Sequence, residues 1–505
     1  MNRRISRVGL ALLACFAVLF VQLNRVQFFG AEALRDNPEN LREIDRSFSE
    51  RRGMIQTADG AVVARSVDTP DGAFDRRREY PEGDLYAHVG GFLSFEFGAD
   101  GVELAFNDEL AGLERSQRYR RFSDLVVDHD PTADVSLTLR HDVQAAAKEA
   151  LGDRRGSVVV LDVRSGGVLA MWSWPSFDPN LLSSHDLDEA NATWNLLVDD
   201  GSDPLLPRAY RERYAPGSTF KVVTAATGLE TKVIDVAQPS FPPSASYLPP
   251  LAGSPIGNFN GSTCGGRLIE ILTVSCNTAF AELGAKLLGP VRTVDGAAAF
   301  GFNLQQPFDL PLAAPAVFPV EYGAEVEPGV FEDSARLAQA SIGQNDVSAS
   351  PLSMAMVAAA IGGDGRMWSP YVVDRVVARD GTVLRRVSPK VWRTAVSPST
   401  ASVVRDGMIS VVERGTATAL QTPGLTIGAK TGTAEVGRGE ATNAWVIGFA
   451  GPVGQPAAVA FAVLVEADAG IGEQTGGAVA APIARAVVQA ALRPMPAVQP
   501  SPARS

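Results

Sequence analysis

One Ser-x-x-Lys, Ser218-Thr219-Phe220-Lys221, lies just after Pro216-Gly217. One Ser-x-Asn, Ser275-Cys276-Asn277, and one Lys-Thr-Gly, Lys430-Thr431-Gly432, followed by Thr433, come later. Each is weak alone. In this order they supply what a serine acyl transfer needs: a nucleophile, proton carriers and a cationic clamp. A serine hydroxyl attacks poorly until a base takes its proton. Pro216-Gly217 breaks any preceding structure, so Ser218 is predicted to open a helix, where free N–H groups and the local dipole favour a developing anion. Lys221, three residues on, then shares a face with Ser218. Uncharged, it can act as the base, and burial or a second cation such as Lys430 would lower its pKa. Ser275 can relay a proton. Asn277 can orient both a substrate amide and Lys221.

Thr426–Val436 reads as a strand whose end carries the Lys-Thr-Gly. Its edge can pair with an extended peptide. Lys430, Thr431 and Thr433 are suited to a carboxylate, Gly432 allows close backbone approach, and the N–H groups of Thr433 and Ser218 form a candidate oxyanion hole. Bland readings exist for each motif, namely a capped helix, a Ser/Asn cap before Ala279 and a turn with a surface lysine. Their joint occurrence disfavours them, as does the fact that two of only six lysines fall inside motifs. A Ser-His-Asp triad is set aside. All four histidines precede Ser218, there is no Gly-x-Ser-x-Gly, and no phosphate-binding glycine loop occurs. No histidine forms a ligand-spaced cluster with a cysteine, so neither a metal nor a cofactor is expected.

The chain has 505 residues and a net charge of -12. That length suggests more than one folded unit, and the acidity argues against nucleic acid as a partner. Val8 to Asn24 is uncharged and follows Arg3, Arg4 and Arg7, which predicts an uncleaved membrane anchor with a cytoplasmic N-terminus and an external body. A cleaved signal peptide is the competing reading. Cys264 and Cys276 are the only cysteines of that body. Export to an oxidising space makes a bridge between them plausible, and two unpaired core thiols are the alternative.

Four regions follow: residues 1–29 (tip and anchor), 30–134 (an N-terminal module), 135–493 (the chemical unit) and 494–505 (a Pro-rich disordered tail). Within them, Ile55–Ala64 reads as a hairpin around Asp59-Gly60, and Gly101–Leu110 as a short amphipathic helix. Asp142 is placed to cap a helix to Leu151. Gly156–Pro175 reads as two strands, Leu181–Arg213 as irregular or partly helical, and Pro239–Gly266 as a long loop. Helices are predicted over Thr219–Glu230, Ala279–Leu288, Ser350–Ile361 and Ala478–Leu492. Strands are predicted over Ile427–Ala434, Ala444–Ala450 and Ala457–Glu466. Strands at both ends with helices between fit an α+β unit with a mostly antiparallel sheet.

Tyr214-Ala215-Pro216-Gly217-Ser218-Thr219-Phe220-Lys221, Ser341-Ile342-Gly343-Gln344 and Lys430-Thr431-Gly432-Thr433-Ala434-Glu435 resemble the motifs of class B penicillin-binding proteins. Arg52-Gly53-Met54-Ile55, Tyr80-Pro81 and Gly101-Val102-Glu103 are similar to that family's N-terminal module. Cys264 and the Ser-Cys-Asn form fit the type A proteins of high-GC Gram-positive bacteria. Asn345-Asp346 departs from the pattern, where a small residue is usual.

The resemblance implies a β-lactamase-like transpeptidase domain, an antiparallel sheet flanked by helices with a helical subdomain, on a pedestal behind a single transmembrane helix. It implies a peptidoglycan D,D-transpeptidase. Ser218 would attack the penultimate D-Ala carbonyl of a stem peptide, and a neighbouring stem's amine would resolve the acyl-enzyme. β-Lactams would stall at Ser218. A membrane glycan polymerase and division or elongation proteins are the implied partners. The alternatives are a D,D-carboxypeptidase or β-lactamase of the same superfamily, or a non-catalytic scaffold or sensor.

Overall fold

The computed structural model describes residues 2–25, 48–69, 74–114, 130–435, 442–467 and 474–495. Its centre is a five-stranded antiparallel sheet in the order Leu425–Glu435, Thr442–Pro452, Val459–Val465, Gly156–Asp162, Val168–Trp174. The inner strands read as near-continuous Val, Ala, Ile and Phe because nearly every residue in them is buried. Such strands need cover on both faces. Pro351–Gly362, a helix buried along its whole length, packs on the inner strands, and His141–Leu151 pairs with Ala481–Ala491 against the sheet. Pro398–Arg414 supports the edge strand Leu425–Glu435. Lys221–Glu230 and Asn277–Glu282 belong to a helical part that meets this edge, where Lys430 reaches Ser275. The α+β arrangement read from the sequence is therefore the one observed.

A second, six-stranded sheet runs Val383–Arg386, Val373–Ala378, Ala133–Leu137, Ile55–Gln56, Val62–Asp68, Arg76–Glu79. The hairpin expected at Ile55–Ala64 supplies two of these strands, with Gly60 at φ 88 in its turn. Two others come from residues 373–386, so this sheet joins stretches more than 300 residues apart.

Several local expectations change. Gly101–Leu110 is two short turns, Gly101–Ala105 and Asn107–Leu110. Arg140, not Asp142, is the N-cap of its helix; Asp142 pairs with Arg140, and Asp59 accepts the His141 N–H at 3.0 Å. Of the stretch read as irregular or partly helical, Leu187–Asp199 is a regular helix capped by Asp186, as the second of those readings allows. Pro239–Gly266 contains two short antiparallel pairs, Phe241–Ser244 with Cys264–Gly266 and Ser246–Tyr247 with Ile256–Gly257. The apolar N-terminal stretch lies in a helix, Asn2–Asn24, but no helix among the described residues is long and apolar enough to cross a membrane. All but the first two residues of the 494–505 tail lie outside the described residues.

Candidate active site

Ser218 lies in a tight turn, Gly217–Phe220, that runs directly into the helix Lys221–Glu230. Two glycines make this turn possible. Gly217 has φ 52, and its N–H donates to the Gly343 carbonyl at 3.0 Å. Gly343 has φ 78, and a Cβ there would stand 2.1 Å from the Gly217 oxygen. The Ser341–Gln344 stretch is thus the floor of the serine turn, which explains why a glycine belongs in it.

The turn rests on the edge strand. A Cβ on Gly432 would come within 2.9 Å of the Pro216 carbonyl, and one on Gly217 within 2.9 Å of the Thr433 carbonyl. Gly432 therefore permits backbone-to-backbone contact between the serine turn and the Lys-Thr-Gly strand. Thr433 and Ser218 both remain half-exposed at this junction.

Lys221 is fully buried. Its Nζ donates to Asn277 Oδ1 at 2.5 Å, to the Ser275 carbonyl at 2.7 Å and to Ser275 Oγ at 3.2 Å. Lys430, also fully buried, comes from the edge strand and donates to the same Ser275 Oγ at 2.8 Å and to the Thr431 carbonyl at 2.9 Å. One hydroxyl thus bridges two lysines that are 209 positions apart in the chain. Burial, and then the Lys430 cation, hold Lys221 well below the usual lysine range. Burial brings Lys430 down to about 7.

Ser275 is held at φ 59, a left-handed conformation uncommon for serine. Cys276 occupies the N-cap position of Asn277–Glu282 and is bonded to Cys264, with Cα atoms 5.8 Å apart. Asn277 opens that helix instead of preceding it. Its Nδ2 donates to the Gly257 carbonyl at 3.0 Å, which fixes its amide so that Oδ1 meets Lys221. Thr431 is buried and its Oγ1 lies 2.6 Å from Thr416 Oγ1.

Ser218, Lys221, Ser275, Asn277, Lys430, Thr431, Gly432 and Thr433 are therefore drawn together. Sequence reasoning missed Thr416 and Gly257. Neither carried a readable signal, since one contributes only through pairing and the other only through its carbonyl. No group of metal-binding side chains occurs among the described residues.

Residues 156–489 match the model of the penicillin binding protein transpeptidase domain, and residues 52–135 match that of the penicillin binding protein A dimerisation domain. The chain belongs to the penicillin-binding transpeptidase family. It is 40% identical over 508 residues to the peptidoglycan D,D-transpeptidase PbpA of Mycolicibacterium smegmatis, covering 98% of this chain and 99% of the relative. It is 37% identical over 511 residues to PbpA of Mycobacterium tuberculosis, covering 98% of this chain and 100% of the relative. Among solved structures, the imipenem acyl-enzyme of M. tuberculosis penicillin-binding protein A is similar with a TM-score of 0.79 at 35% identity, over 88% of this chain and 100% of that one. Within this penicillin-binding fold, the two lysines and their shared hydroxyl occupy the junction between the helical part and the sheet edge.

Proposed function

We propose that this protein is a peptidoglycan D,D-transpeptidase that works through a Ser218 acyl-enzyme and is acylated by β-lactams. One observation carries the reading. A buried lysine of lowered proton affinity, one helical turn from Ser218, shares the Ser275 hydroxyl with a second buried lysine. The imipenem acyl-enzyme and the D,D-transpeptidases named above support it.

Neutral Lys221 takes the Ser218 proton as Oγ bonds to the penultimate D-Ala carbonyl carbon. The resulting oxyanion is met by the N–H groups of Ser218 and Thr433; one such donor is typically worth ~2.7–4 kcal/mol. Asn277 keeps the Lys221 amine aimed. The tetrahedral centre collapses with breakage of the C–N bond. The leaving D-Ala nitrogen takes a proton that passes from Lys221 through Ser275. Lys430, with Thr431 and Thr433, holds the terminal carboxylate of the stem. An acceptor amine then attacks the ester carbon and gives its proton to Lys221, and Ser218 leaves with a proton restored. Turnover to a cross-link, not to hydrolysed stem, separates this reading from a carboxypeptidase or lactamase.

The N-terminal segment holds the protein at the cell membrane with its N-terminus in the cytoplasm. Arg3, Arg4 and Arg7 flank it, and Leu10, Leu13, Phe16 and Val18 are each more than half exposed on its helix. The module over residues 30–134 serves as a pedestal, with residues 135–493 as the transpeptidase domain. A membrane glycan polymerase supplies the strands to be cross-linked, beside division or elongation proteins.

The test is labelling with a fluorescent penicillin. Wild type is expected to be labelled covalently and Ser218→Ala not at all. Equal labelling of both would remove Ser218 as the nucleophile. A pentapeptide stem with an added acceptor amine is expected to yield joined product plus D-Ala; hydrolysed stem alone would favour the carboxypeptidase.

A further inference from the structure

Four residues before Ser218, Tyr214 enters the serine turn. Its backbone is tied both ways to Ala349, with the Tyr214 N–H donating at 3.0 Å and its carbonyl accepting at 2.9 Å. Its ring stands edge-on to Trp445, centroids 6.3 Å apart, and Trp445 is the residue paired across the sheet with Gly432 of the Lys-Thr-Gly. Its hydroxyl donates to Glu466 Oε1 at 2.7 Å.

Glu466 follows the strand Val459–Val465 and is the meeting point of a charged cluster that the acyl-transfer chemistry does not use. Oε1 also accepts from Arg208 Nε at 2.8 Å, and Oε2 lies 2.6 Å from Arg155 Nε. The Arg208 side chain is wholly buried, while that of Glu466 is 13% exposed. Arg208 spends a further nitrogen on the Asp203 carbonyl at 2.8 Å. The carboxylate and Arg208 are therefore fixed in place, with the half-exposed Arg155 adding charge at the rim. Burial and the neighbouring carboxylate raise the Tyr214 pKa, so the phenol stays a proton donor.

Between Tyr214 and Ser218 lie only Ala215, Pro216 and Gly217. Pro216 has a fixed φ and the Gly217 N–H is tied to the Gly343 carbonyl at 3.0 Å, so this segment keeps little freedom. Position is therefore transmitted from the Tyr214 anchor to Ser218 through a short, stiff span, whose far side rests on Gly343.

Resting on the reading of Ser218 as nucleophile, we propose that Glu466 is a positioning residue for acyl transfer, acting through the Tyr214 hydroxyl to fix the turn that aims Ser218. It touches no reacting atom. Its effect is on the geometry of attack, where small displacements cost rate more than binding.

The experiment measures, on the full chain, the rate of acylation by fluorescent penicillin at saturation separately from the half-saturating concentration. Tyr214→Phe removes one oxygen and is expected to slow acylation about 10-fold or more while half-saturation moves less than about 2-fold. Glu466→Ala is expected to do the same. Glu466→Gln, which can still accept from Tyr214, should recover part of the rate. The double variant Tyr214→Phe/Glu466→Ala should be no slower than the slower single variant, since both break one linkage. If Glu466→Ala does not fold, Tyr214→Phe decides alone. Wild-type acylation rates in Tyr214→Phe, a loss confined to half-saturation, or losses that multiply in the double variant would each overturn the proposal. Absence of labelling in the wild type would instead overturn the reading of Ser218, so the two failures are distinct.

Discussion

Lys221 and Lys430 are both buried, and each donates to the same hydroxyl. Two ammonium groups so placed cannot both hold protons cheaply, so the Lys430 cation lowers the pH at which Lys221 discharges. Lys430 is named directly as a cause of the lowered Lys221 value, after burial. The acylation rate should therefore rise with pH well below the ordinary lysine value of 10.5. In Lys430→Met the neighbouring charge is gone and the Lys221 pKa must rise. The ascending limb of the pH–acylation profile is expected to move to higher pH, whatever happens to the maximum rate. A limb that stays in place or moves down would show that Lys221 is not the group being titrated. Stability has its own signature. Lys430 discharges near 7 when folded and 10.5 when unfolded. Between those values the unfolded chain carries the extra proton, so unfolding free energy rises with pH through this window. Lys430→Met should lose about one proton's worth of that slope, measured by urea unfolding at a series of pH values.

At the scale of elements, the motif chemistry and the central strands were readable because each is local. The inner strands are unbroken apolar runs, and Pro216-Gly217 and Ser350-Pro351 punctuate the chain where helices begin. Two elements were not readable in full. Leu187–Asp199 buries little, since Ala190 is its only fully buried residue and Trp194 and Leu197 are partly covered, although Asp186 was a usable capping signal. The pairs inside Pro239–Gly266 involve Pro and Gly, so no alternation marks them as strands. Yet this segment matters to the site, because Gly257 orients Asn277 and Cys264 is bonded to Cys276. Closing the Cys264–Cys276 loop, a separation of 12, constrains the unfolded chain by about 3 kcal/mol. Cys264→Ala/Cys276→Ala is expected to lose about 2–4 kcal/mol of stability in denaturant titrations. Because Cys276 sits between Ser275 and Asn277, acylation should also slow in the fraction that remains folded. Unchanged stability together with unchanged acylation would mean that the bridge neither braces the Ser-Cys-Asn turn nor limits the unfolded state.

Across the whole molecule, the N-terminal sheet was the least legible feature, because its pairing of Val373–Ala378 with Ala133–Leu137 leaves no mark in either stretch. What fixes the neighbouring N-terminal segments to one another is a buried ion triad; Arg52 and Glu103 lie in motifs that the sequence offered only as a resemblance, and Arg78 lies in none. Glu103 Oε2 lies 2.7 Å from Arg52 Nε and Oε1 lies 2.5 Å from Arg78 Nε, with all three side chains essentially shielded from water. Arg52 also donates to the Glu103 carbonyl at 2.8 Å and to Asn107 Oδ1 at 2.9 Å, and Arg78 to the Gly53 carbonyl at 2.8 Å. Burial alone would raise the Glu103 pKa, but Arg78 and Arg52 outweigh it and hold the carboxyl below its ordinary 4.5. The stability this contributes is present above about pH 4.5 and is lost as pH falls through the lower folded value. Glu103→Gln leaves two guanidinium groups buried without a counter-charge, a change that typically costs about 3–5 kcal/mol. A companion variant in which Arg52, Arg78 and Glu103 all become apolar residues of similar volume should lose much less, because no charge is then stranded. Urea unfolding of both, followed by penicillin labelling at the same denaturant concentrations, checks this. If Glu103→Gln unfolds the N-terminal segments while labelling of Ser218 persists, the two sheets are separable units even though residues 373–386 supply strands to the six-stranded one. If labelling disappears in the same transition, the strands that residues 373–386 lend to the six-stranded sheet make the two parts one cooperative body.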